Sequence, residues 1–243
     1  MDNLESKVEL PFKIGTYNFD LNWKWFKIGT ASLTYARIKC EDLPQEAKQV
    51  YKKGDLYKVI FKGKIDLPVI KLIIERGEFT TYCAINKDDV QPLLAKAETR
   101  ILRQNRNDTA IYDYQNNLLT INNQKQKVDS EAMKTLRDPA SHVLHLLFLP
   151  RTEGGKYFCG NYHSINGEIC PLEINYELKD DKLIGHAKIS AQTYFIDTDL
   201  LLELPYTFDA QKKLYLPSLK EKVAIVHRII GKVTLDFTNF LEE

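Results

Sequence analysis

Only two tryptophans and four cysteines occur in 243 residues, and no run of eighteen apolar residues exists. The missing run excludes a membrane-spanning helix by length alone. An excess of one charge is also absent, because 34 Lys and Arg face 33 Asp and Glu for a formal net charge of +1. The broad basic footprint of a nucleic-acid-binding protein is therefore not expected. Short basic clusters such as Lys212-Lys213 read as solvated turns. The opening Met-Asp-Asn-Leu-Glu-Ser-Lys is too polar for a secretory signal, although the mature form of an exported protein preceded by an added Met would start the same way.

Catalytic signatures are missing too. No Gly-x-Ser-x-Gly segment presents a nucleophile, and Gly154-Gly155-Lys156 lacks both the first glycine and the Ser/Thr of a phosphate loop. The carboxylate pairs Asp88-Asp89 and Asp180-Asp181 fall in predicted loops, where solubility accounts for them. No catalytic residue, metal ligand or cofactor is assigned. His142 and His145, three apart on a predicted helix, could share a face, but no Glu accompanies them as in a catalytic zinc motif, so a packing role is expected.

What is present is strand alternation. From Tyr17 to Trp25 every odd position is aromatic or Leu and every even one polar, which predicts a strand with Tyr17, Phe19, Leu21, Trp23 and Trp25 on one face. Similar runs cover 31–38, 56–65, 78–85, 109–114, 118–121, 174–178, 183–189, 193–197, 200–206 and 223–237. Residues 93–102 read as a weaker strand, and Leu67–Ile74 as either a strand or a short helix. One helix is predicted, with Asp138 as N-cap, Pro139 at the first position, an apolar body and Pro150 as its stop.

The expected fold is a mostly β, antiparallel curved sheet, an open or half-closed barrel with one central helix. Residues 1–11 form an N-terminal tail and 12–243 a single domain. Aromatic side chains dominate the predicted inner face, including Phe195. They fill a core or line a cavity for an apolar ligand, and the candidate lining is Tyr17, Phe19, Trp23, Trp25, Tyr57, Phe61 and Phe79. Cys159 and Cys170 bracket turn-like Gly160-Asn161 and Asn166-Gly167, so a hairpin there could pair them as a disulfide. A zinc site from Cys159, His163 and Cys170 lacks a fourth ligand.

The segment Tyr17–Leu33, with Tyr57-Lys58-Val59 and Gly63, Phe79 and Tyr82, Asp138-Pro139-Ala140-Ser141 and Leu214-Tyr215-Leu216-Pro217, resembles an exported bacterial envelope family. That family is catalogued as the domain of unknown function numbered three thousand one hundred and eight. The resemblance spans most of residues 12–237 and implies a periplasmic location, a removed signal peptide and a curved antiparallel sheet. The Cys159–Cys170 segment departs from the family pattern. The expected function is non-catalytic binding of a lipid-like or other apolar ligand, or of an envelope partner, in a concave aromatic face. Alternatives are a hydrolase-type enzyme assembled around the central helix and a structural scaffold.

Overall fold

The computed structural model describes residues 13–67, 74–86, 89–101, 103–147, 153–163, 168–179, 182–193, 196–211, 213–227 and 231–242. The tail 1–11, most of the Leu67–Ile74 run, Phe195, the Asn166-Gly167 turn and the stop at Pro150 lie outside these residues.

Among the described residues, eight strands make up the first half: β1 (Gly15–Trp23), β2 (Phe26–Arg37), β3 (Asp55–Ile65), β4 (Ile74–Asn86), β5 (Asp89–Ile101), β6 (Gln104–Asp113), β7 (Leu118–Ile121) and β8 (Gln124–Lys127). The second half holds β9 (Leu136–Arg137), β10 (Gly155–His163), β11 (Ile169–Lys179), β12 (Lys182–Thr193), β13 (Ile196–Asp209), β14 (Leu214–Pro217), β15 (Val223–His227) and β16 (Gly231–Glu242). Among the described residues three α-helices accompany them, α1 (Gln45–Val50), α2 (Ser130–Lys134) and α3 (Pro139–Leu147).

All strands belong to one sheet in the order β8-β7-β6-β5-β4-β3-β2-β1-β16-β15-β13-β12-β11-β10-β9, with β14 on β13. Neighbours run antiparallel except β9 and β10. The expected curved, open antiparallel sheet is the fold observed. Its two flanks come together through side chains rather than a backbone ladder. The Tyr112 hydroxyl of β6 bonds His163 Nε2 of β10, and Arg137 donates to Val90 O at 2.9 Å and to Asp89 at 2.8 Å. The barrel is thus half-closed.

Helix α3 sits between the flanks because both of its sides are apolar. Ala140 and Leu144 join Tyr17, Phe19, Leu33, Tyr35 and Val59 in one core cluster. Leu146 belongs to a second cluster, with Ile174, Tyr176 and Tyr206. The predicted start holds: Asp138 Oδ1 accepts from the Ala140 N–H at 3.0 Å, and Ser141 Oγ accepts from the Asp138 N–H at 3.0 Å. That is a reciprocal cap ahead of a proline at the first helical position.

Two readings of the sequence are corrected here. The first strand ends at Trp23, which pairs with Phe26, so Lys24 (φ +56°) and Trp25 form the hairpin tip. Trp25 is 80% exposed and lies off the apolar face. Gly160-Asn161 is not a turn: Gly160 (φ +119°) is inside β10 at a register shift. No disulfide joins Cys159 to Cys170. Cys170 is opposite Tyr162, whereas Cys159 falls in the bulge between the Phe158 and Gly160 pairs. Between two and three residues of rise plus one inter-strand step separate the Cα atoms by about 9 Å, beyond the roughly 7 Å that a disulfide spans.

Candidate functional site

Of the aromatic side chains expected to line a cavity, all but Trp25 are taken up by packing. Tyr17, Phe19 and Tyr57 are buried within the core, and Trp23 and Phe61 pack against it. Gly63 and Gly77 face each other across β3 and β4, and Phe61 and Phe79 lie along their strands close to these two gaps. The two rings are 6.4 Å apart and cover inner-face positions that have no side chain of their own. The described apolar void beside α3, lined by Val143, Leu146, Leu204 and Tyr206, measures only about 20 Å³.

The large concavity lies on the opposite face. A twisted, coiled sheet is saddle-shaped, so the face turned away from the helix can be dished as well. A trough of about 710 Å³ crosses that face from β16 and β1 to β6. Register explains its lining. One row across the strands reads Asn239, Asn18, Ser32, Lys62, Glu78, Glu98, Asn107, each residue opposite the next. The adjacent row reads Asp236, Asp20, Thr30, Lys64, Arg76, Arg100, Asn105. Between them run Phe19, Ala31, Gly63, Gly77 and Thr99, which point inward and offer backbone to the floor.

Part of this polarity is internally satisfied. Asn18 donates to Asn239 at 2.9 Å, Lys62 pairs with Glu78 at 3.1 Å, and Asp20 with Lys27 at 2.7 Å. Lys64 reaches Asp66 at 3.1 Å, outside the trough lining. Arg100 Nε is 3.1 Å from a Glu75 carboxylate oxygen but is not aligned for a hydrogen bond. Lys64, Arg76 and Arg100 stand directly opposite one another, and so do Glu78 and Glu98. Like charges facing across strands cost stability. Arg76, Glu98, Asn105 and Asn107 are exposed, with no partner among the described residues.

A second polar group is sealed. Asp138 accepts hydrogen bonds from the hydroxyls of Thr81 at 2.8 Å and Ser141 at 2.6 Å. His142 lies next in sequence, yet its Nε2 is 2.9 Å from Asn161 O and not directed at Ser141. Since a carbonyl only accepts, Nε2 carries the proton. Burial, reinforced by the Arg137 guanidinium, pushes the His142 pKa from 6.5 down to about 3. Ser141 is fully buried, so this Asp, Ser and His cannot act as a nucleophilic triad on a substrate. No cluster of three or more His, Cys, Asp or Glu positioned to hold a metal occurs among the described residues.

The trough residues escaped sequence reasoning because each strand's polar face reads as ordinary solvent contact. A usable signal existed in Lys62-Gly63-Lys64 and Arg76-Gly77-Glu78, since an interior strand glycine marks a special backbone position. Comparison with protein-family models, curated proteins and solved structures finds no match to this chain. No described helix is long and apolar enough to cross a membrane.

Proposed function

We propose that the chain is a non-catalytic binding protein that holds an extended, hydroxyl-rich ligand of the oligosaccharide class in the polar trough. The observation that carries this reading is the trough itself, whose size falls within the roughly 300–1,000 Å³ typical of ligand sites. Amides, hydroxyls and charged forks converge there from seven strands. Asn and Arg offer paired donors and Glu paired acceptors, a set suited to neighbouring hydroxyls on a sugar ring. Arg76, Glu98, Asn105 and Asn107, without a partner among the described residues, supply polar groups open to a ligand.

An envelope location rests on the family resemblance of Tyr17–Leu33 and its companion segments, and envelope glycans are then the natural ligand class. The apolar-ligand reading has less support, because the candidate lining residues other than Trp25 are committed to packing and the void beside α3 has no room for an acyl chain. An enzymatic reading around His142 and His145 gains no exposed nucleophile from Ser141.

Calorimetric titration with soluble peptidoglycan fragments and, separately, with palmitate tests the choice. Heat with the glycan, lost in Arg76→Ala and Glu98→Gln, is expected. Palmitate binding that ignores both substitutions would return the site to the apolar face.

A further inference from the structure

The β1–β2 hairpin ends in an apolar tip that the core does not use. Trp25 is 80% and Phe26 55% exposed, and their rings sit 5.4 Å apart at a tilt of 47°. The strands below them are fixed, since β1 is hydrogen-bonded to β16 and β2 to β3. Lys24 flanks the rings, exposed, with its ammonium 5.4 Å over the Trp23 ring and no acidic partner among the described residues. Lys27 follows on the other side, paired to Asp20. No Asp or Glu occurs between Leu21 and Cys40.

From this juxtaposition we infer that the tip docks on an anionic phospholipid bilayer. Trp and Phe rings are favoured at the level of lipid headgroups, and nearby ammonium groups are attracted to anionic lipid. A second copy of the chain is a poorer occupant. Two rings offer far less than the roughly 800 Å² per partner of a standard interface, and facing tips would oppose lysine to lysine. One small anchor gives weak, reversible attachment, with the trough on the same strands held beside the bilayer surface. This inference does not depend on what fills the trough.

Co-sedimentation with vesicles of phosphatidylcholine and phosphatidylglycerol in roughly equal amounts tests it, alongside vesicles of phosphatidylcholine alone. Binding to the mixed vesicles, weakened by salt, with quenching of tryptophan emission by brominated acyl chains, is the expected result. Lys24→Ala lowers the partition coefficient about fivefold, the equivalent of about 1 kcal/mol per basic residue near the surface. The double variant Trp25→Ala/Phe26→Ala loses at least about tenfold, its fold checked by an unchanged unfolding midpoint. Absence of binding, or equal binding by the folded double variant, overturns the inference. So does a dimer that dissociates on Trp25→Ala while vesicle binding stays the same.

Discussion

The neutral, buried imidazole of His142 ties stability to pH in a way that can be worked out in advance. Its proton affinity is low in the folded chain, with a pKa of about 3, and ordinary once unfolded, near 6.5. A base with a depressed folded pKa binds its proton more readily in the unfolded state. Its contribution is therefore complete above pH 6.5 and declines as pH falls towards 3. The two values predict a loss of about 2 kcal/mol between pH 8 and pH 5, with a limiting slope of about 1.4 kcal/mol per pH unit. Other groups titrate in the same range, so the useful quantity is a difference. Urea unfolding of the wild type and of His142→Gln, whose amide can still donate to Asn161 O, is measured at pH 8, 7, 6 and 5. The wild-type advantage should shrink by about 2 kcal/mol over that span. Two curves that stay parallel would show that His142 is not held neutral by its surroundings, and the sealed character of the Asp138 pocket would fall with it.

Three other outcomes follow from the packing. All four cysteines should react with a thiol reagent in denaturant without reductant, while in the native state Cys40 reacts first and buried Cys83 and Cys159 lag; fewer than four thiols would restore the disulfide. Leu144→Ala, which empties a fully buried helix position facing the first core cluster, should cost about 2–5 kcal/mol in chemical denaturation. Gly160→Ala should cost at least about 2 kcal/mol, since its φ is +119° and the added methyl would sit 2.7 Å from Thr135 O; a neutral result would refute the bulge geometry.

Architecture was legible in this chain because alternation survives wherever one face of a strand is buried. Tyr17, Phe19 and Leu21 could be assigned a common face, and Asp138-Pro139 a helix start, from local chemistry alone. The same logic overran at Trp25, because Lys24 turns the chain without a Gly or Asn and Trp25 happens to continue the odd-numbered series. Gly160 misled in the opposite direction, since a bulge and a turn draw on the same residue. The trough was out of reach for a different reason. Asn18 and Glu98 join one row only through the registers of four successive strand pairs, and no local pattern encodes those registers or the sense in which the sheet bends. Alternation could say which side chains share a face but not which face would be hollow.

The pairing of β1 with β16 has a consequence for biosynthesis. Gly15 lies opposite Glu242, so a seam in the middle of the sheet joins the first described strand to the last described one. Until residues beyond 231 have been synthesised, one long edge of β1 has no native neighbour, and an unpaired edge beside rings such as Tyr17 and Phe19 invites non-native strand addition. Shielding that edge in the nascent chain is a demand this topology places on its cell.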